Sequence, residues 1–157
     1  MITFERGNVR FNYRVVGIAF DGGRVLLHRA ERDDFWALPG GRGELLEPAE
    51  ETLMREMQEE LGVEVSVERL VWVVENFFRY EEHDYHELAF YFLAVLPVDC
   101  YVVKKAEPFV VEDQGVRFIF QWYGLDELAE LELYPTFLKE GLLSLPPTTQ
   151  HIVHRDG

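Results

Sequence analysis

The stretch Gly40 to Val63 constrains this chain more than any other. Pro48 suits the first position of a helix, where its missing N–H is not needed. Glu50 and Glu51 complement the positive end of the helix dipole, and Gly62 is a good terminator after Leu61. At ~100° per residue, Leu53, Met57 and Leu61 fall on one side of that helix and Glu56, Glu59 and Glu60 on the other. The apolar side must be buried against another layer. The acidic side carries like charges at helical spacing, which costs a few tenths of a kcal/mol per pair. A solvated face accounts for such a cluster, and so does a cation held on it. Three carboxylates are hard oxygen ligands of the kind Mg²⁺ or Mn²⁺ takes and shares with substrate phosphates.

The flanking sequence reads mainly as strand. Tyr13–Phe20 and Val25–His28 flank Gly22-Gly23 and predict a hairpin. Phe35–Leu38 reads as a short strand stopped by Pro39-Gly40-Gly41. Val63–Phe78, with a break near Glu68, and Tyr85–Val95 predict a second hairpin around a polar loop, Arg79–Asp84. Lys104–Gly115 reads as a loop and Val116–Tyr123 as a strand. Short helices are expected over Leu125–Leu131 and Thr136–Leu143, and a loose tail over 146–157. One domain over 1–157 follows from the 157-residue length, with its core at about 8–143. The fold class expected is α+β, a mixed sheet between helices.

With 29 acidic and 15 basic residues the net charge is −14, which opposes binding of duplex nucleic acid. A small phosphorylated substrate arriving with a divalent cation is compatible with that charge. The lone Cys100 permits no intrachain disulfide and suits a reducing compartment. With no apolar run near the ~20 residues of a membrane helix and no secretion signal at the N-terminus, a cytoplasmic protein without membrane contact is expected.

The acidic helix sits in a longer pattern, G-x5-E-x7-R-E-U-x-E-E-x-G-U, where U is bulky and aliphatic. It is matched by Gly41, Glu47, Arg55, Glu56, Met57, Glu59, Glu60, Gly62 and Val63. The lead-in is Trp36-Ala-Leu-Pro-Gly-Gly41. This resembles the Nudix box of the MutT-like Nudix hydrolases, and Met57 is the mildest departure from it. The resemblance covers roughly residues 8 to 143 and implies an α/β/α sandwich.

The resemblance also implies a reaction: hydrolysis of a diphosphate bond in a nucleoside diphosphate linked to another group, with Mg²⁺ or Mn²⁺. Its most natural substrates here are (deoxy)nucleoside triphosphates or related nucleotides. On that pattern Glu56 and Glu60 are metal ligands. Glu59 is a third ligand or, with Glu56, a candidate base, and the Gly40 carbonyl completes the shell. Gly41, Glu47, Arg55 and Gly62 are structural positions of the box, and Arg55 is alternatively a phosphate contact. Glu112 is the expected later catalytic carboxylate, with an exposed loop acid as the alternative. Arg29 is a phosphate-binding candidate or a surface ion-pair partner. Phe11, Tyr13, Phe35 and Phe78 are candidates to stack on a base. Homodimers are common in the fold, and the sequence marks no interface. The competing function is a non-catalytic Nudix domain that senses a ligand; such domains often lose box carboxylates, which this chain keeps.

Overall fold

The computed structural model describes residues 1–156. Its elements, in chain order, are β1 (Thr3–Arg6), β2 (Val9–Ile18), β3 (Phe20–Asp21), β4 (Arg24–Ala30), β5 (Gly40–Arg42), α1 (Ala49–Leu61), β6 (Ser66–Tyr80) and β7 (His83–Val95). Then follow β8 (Phe109–Asp113), β9 (Val116–Gly124), a 3-10 turn (Leu125–Glu130), α2 (Leu138–Gly141) and β10 (Gln150–Arg155).

The strands form a six-stranded sheet, β1-β2-β7-β6-β10 with β5 also on β2, and a four-stranded sheet, β3-β4-β9-β8. The larger sheet is mixed: β2 runs parallel to β7 and β10 parallel to β6, while the other pairs are antiparallel. Strand period sends successive side chains to opposite faces. Accordingly Val15, Leu26 and Phe92 pack with Leu53, Met57 and Leu61 of α1. Their neighbours Val16, Leu27 and Tyr91 pack in the other core, with Leu128, Leu138 and Leu142 from the C-terminal helical turns. This is the expected α+β sandwich, with a second, antiparallel sheet joined to the mixed one.

Several local expectations change. The Gly22-Gly23 turn closes only the two-residue pairing of β3 with β4, because β2 leaves at Ile18 to pair with β7. The Arg79–Asp84 loop is instead a tight hairpin whose turn residues, Glu81 and Glu82, have φ of 47° and 67°. Both lie in the left-handed region that a type I′ turn requires and that suits the twist of the strands. Phe35–Leu38 makes only isolated bridges, His28 to Ala37 and Trp36 to Leu133. The Lys104–Gly115 loop contains β8, which alternates partly buried and exposed residues along Phe109–Asp113. The tail is not loose: Thr149 donates to the Leu70 carbonyl at 2.7 Å, and β10 completes the sheet edge on β6. The break expected near Glu68 is present as irregular register between Val67 and Arg69.

Candidate active site

Pro48 caps α1 rather than opening it, and Gly62 ends it in the left-handed conformation with φ 67°. That conformation is strained for residues with a Cβ. Leu53, Met57 and Leu61 are buried, as their spacing requires. On the opposite side, Glu60 lies about 40° from Glu56 around the helix, whereas Glu59 lies about 100° from Glu60. The two outer members therefore converge and Glu59 does not. The Glu56 side chain is 15% exposed and the Glu59 side chain 50%.

The third carboxylate comes from β8. Glu56, Glu60 and Asp113 each offer an oxygen, all within 4.8 Å of one another. Strand alternation turns Asp113 toward α1 and leaves its neighbour Glu112 exposed, paired in register with Arg117. The structure thus brings Asp113, rather than the expected Glu112, beside Glu56 and Glu60. Reading Lys104–Gly115 as a loop hid the alternation that separates Glu112 from Asp113.

Burial, and then the charge of Glu56, push the Glu60 carboxyl up to about 8. Burial raises Glu56 as well, with the Arg55 charge pulling the other way. Carboxylates gathered in a partly buried site resist ionisation because their charges repel and water is withdrawn. Hard oxygens from two elements, held together against their own repulsion, fit a divalent cation such as Mg²⁺ or Mn²⁺.

Arg55 is committed to carboxylates. It donates to Glu47 through two nitrogens at 3.0 and 3.1 Å, to Glu56 at 3.1 Å and to Glu59 at 3.3 Å. Thr52, fully buried, donates to Glu47 at 2.6 Å. These contacts hold the Glu47 carboxyl below its usual range, Arg55 contributing most. They tie the Gly43–Glu47 loop to the helix. Gly41 leaves room for the Glu56 side chain: a Cβ there would lie 2.3 Å from Cδ of Glu56. Gly40 pairs with Val16 in the β2–β5 ladder and, with Glu60, lines a cavity of about 730 Å³.

Arg29 also lines this cavity. It donates to the carbonyls of Asp33 at 2.7 Å and Glu31 at 3.3 Å, and lies over the Trp36 ring at 5.3 Å. No surface ion pair to Arg29 is found among the described residues. Of the four aromatic candidates, Phe35 and Phe78 line the cavity and Phe11 and Tyr13 do not. Sequence reading missed Arg14, on β2, whose charge favours ionisation of Glu60. It also missed a polar row of Asn12, Asn76 and Glu87. Their signal was polar side chains at inward positions of strands, visible only once the register is known.

No curated protein matches the chain. Among solved structures it is similar to a UDP-X diphosphatase at 21% identity and TM-score 0.59. That match covers 90% of this chain and 66% of the other, so the chain spans just under two thirds of that protein. It is similar to an ADP-ribose pyrophosphatase from Streptococcus suis at 17% identity and TM-score 0.58, covering 90% of this chain and 98% of that one. A MutT protein from Methanosarcina mazei is similar at 20% identity and TM-score 0.57, over 83% and 88% of the two chains. These likenesses concern the fold. The family rests on the sequence: the NUDIX domain model matches residues 10–142, a span that holds α1, β8 and the carboxylates they bring together, and the chain belongs to the Nudix family.

Proposed function

We propose that this Nudix hydrolase cleaves a diphosphate bond in a nucleoside diphosphate derivative or nucleoside triphosphate in the presence of Mg²⁺ or Mn²⁺. The observation that carries the reading is the convergence of Glu56, Glu60 and Asp113, with Glu60 lining a nucleotide-sized cavity. The similar structures are described as enzymes acting on UDP-X and on ADP-ribose, both diphosphates, and as a MutT protein. Their shared chemistry supports the reaction class and leaves the group beyond the diphosphate open.

In this reading Glu56, Glu60 and Asp113 would hold the metal, and the Gly40 carbonyl is the further ligand proposed for it. When bound, the ion neutralises phosphate charge and lowers the pKa of a coordinated water. Glu59, exposed and hydrogen-bonded to Arg55, is available to accept a proton. Glu47, Arg55 and Thr52 fix the loop so that Glu56 keeps its position. Arg14 and Arg29 supply positive charge to a substrate whose phosphates enter an otherwise acidic protein, which favours binding by electrostatic complementarity. Among the described residues no helix is long and apolar enough to cross a membrane. The lone thiol of Cys100 suits a reducing compartment, which is the ground for a cytoplasmic place of action.

The test is release of phosphate or pyrophosphate from nucleoside triphosphates, ADP-ribose, NADH, a diadenosine polyphosphate and UDP-sugars. Each would be assayed with Mg²⁺, with Mn²⁺ and with chelator. Metal-dependent turnover of one class is expected. Absence of turnover on every substrate, with folded protein that binds metal, would overturn the reading.

A further inference from the structure

Within the cavity that Glu60 also lines, register brings three polar side chains into one row across the central sheet. Asn12 of β2 is the partner of Glu87 of β7, which is in turn the partner of Asn76 of β6. All three are buried, at 4%, 8% and 4% exposure, and all three line the cavity. Such a row is costly unless its hydrogen bonds are met. Asn12 is accounted for, because Thr3 donates to its Oδ1 at 2.8 Å. Burial raises the Glu87 carboxyl, while Arg14 and the side chains of Asn12 and Asn76 work against that rise. Register sets the Asn76 side chain beside Glu87, and its Oδ1 has no hydrogen-bond partner among the described residues. Nδ1 of His28, in the same cavity, has none among the described residues either.

The open end of the row is thus an amide carbonyl oxygen beside a carboxyl group. The walls are aromatic: Phe78 is stacked on Tyr85 at 4.9 Å, and Phe35 meets Tyr80 and Tyr134 edge-on at 5.9 and 5.6 Å. Aromatic walls favour a planar ring, and two neighbouring acceptors favour neighbouring donors on its edge. We propose that Asn76 and Glu87 determine specificity, selecting a ring that presents two adjacent N–H donors, the edge of a guanine-type base. Guanine carries N1–H next to its N2 amino group. Hypoxanthine lacks the second donor. Adenine and cytosine each set a ring-nitrogen lone pair beside one amino group, and that lone pair would face an acceptor.

The inference rests on the nucleotide-hydrolase reading for the phosphate end of the ligand, and binding measurements separate the two. Calorimetric dissociation constants for GMP, IMP, AMP and glucose 1-phosphate, taken with Mg²⁺, are the test. GMP is expected to bind about tenfold or more tighter than IMP and AMP, because buried acceptors left unpaired penalise the analogue lacking a donor. Asn76→Ala should bring the three nucleotides to within about twofold, a difference of about 0.4 kcal/mol. Equal affinities in the wild-type protein, no binding of GMP, or preference for glucose 1-phosphate would each overturn it without reference to any variant. Retained preference for GMP with no hydrolysis of GTP would count against the hydrolase reading and uphold this one. Turnover of other nucleotides without a guanine preference would do the reverse.

Discussion

At the residue scale the decisive feature is that two carboxylates one helical turn apart meet a third from a strand. Glu60→Gln should fold normally and lose activity by about a hundredfold or more, as expected when a metal ligand is neutralised. Wild-type turnover by that variant with Mg²⁺ would remove Glu60 from the site. Asp113 and Glu112 give a sharper comparison, because they are adjacent and face opposite ways. Asp113→Asn should lower activity at least tenfold, on the scale of a perturbed metal site, while Glu112→Gln should leave it near wild type; kcat/KM for the pair decides between them. The raised Glu60 carboxyl also links stability to pH. Its carboxyl titrates near 4.5 unfolded and at about 8 in the native state without metal. The native state therefore holds the extra proton between those values, and this contribution to stability falls as pH rises through that window. Urea unfolding in chelator from pH 5 to 9 should show the fall, and Glu60→Gln should flatten it; parallel curves for the two proteins would refute the assignment.

At the scale of elements, α1 was legible because its signals are local: a proline at the start, a glycine at the end and a 3.6-residue period between. Gly41 shows what the local pattern could not explain, since its reason is the Glu56 side chain lying across it. Gly41→Ala should displace Glu56, cost about 1–3 kcal/mol as overpacking does and reduce turnover more than Glu112→Gln; an alanine variant with unchanged melting temperature and kcat would show that the approach is not tight. β8 and β10 were missed for different reasons. β8 is short and follows Pro108, so its alternation was read as loop. β10 carries weak apolar signal, QHIVHR, and gains its order from parallel pairing with β6 and from Ile152 packing on the core. Truncation after residue 148 should lower the unfolding free energy by about 1–3 kcal/mol, the scale of exposing one large aliphatic side chain. A melting curve unchanged by truncation would mean that β10 adds nothing.

At the scale of the whole molecule, metal binding and folding should be coupled, because the three oxygens converge only when α1 and β8 are both in place. Saturating Mg²⁺ should raise the melting temperature, and at a concentration 100 times its dissociation constant the gain is about 2.7 kcal/mol. Asp113→Asn should abolish most of that gain; an undiminished gain in the variant would place the ion elsewhere. The sequence by itself determined the box helix, its buried face, the turn positions, the family and the reaction class, because each is written in spacings of a few residues. Only the tertiary structure decided which acid of the Glu112-Asp113 pair lies with Glu56 and Glu60. It also decided that Arg55 is spent on Glu47, Glu56 and Glu59, and that Asn12, Glu87 and Asn76 stand in one row. Those outcomes depend on strand register between segments as many as 75 residues apart, as for Asn12 and Glu87. A shift of one residue in that register turns every side chain to the opposite face.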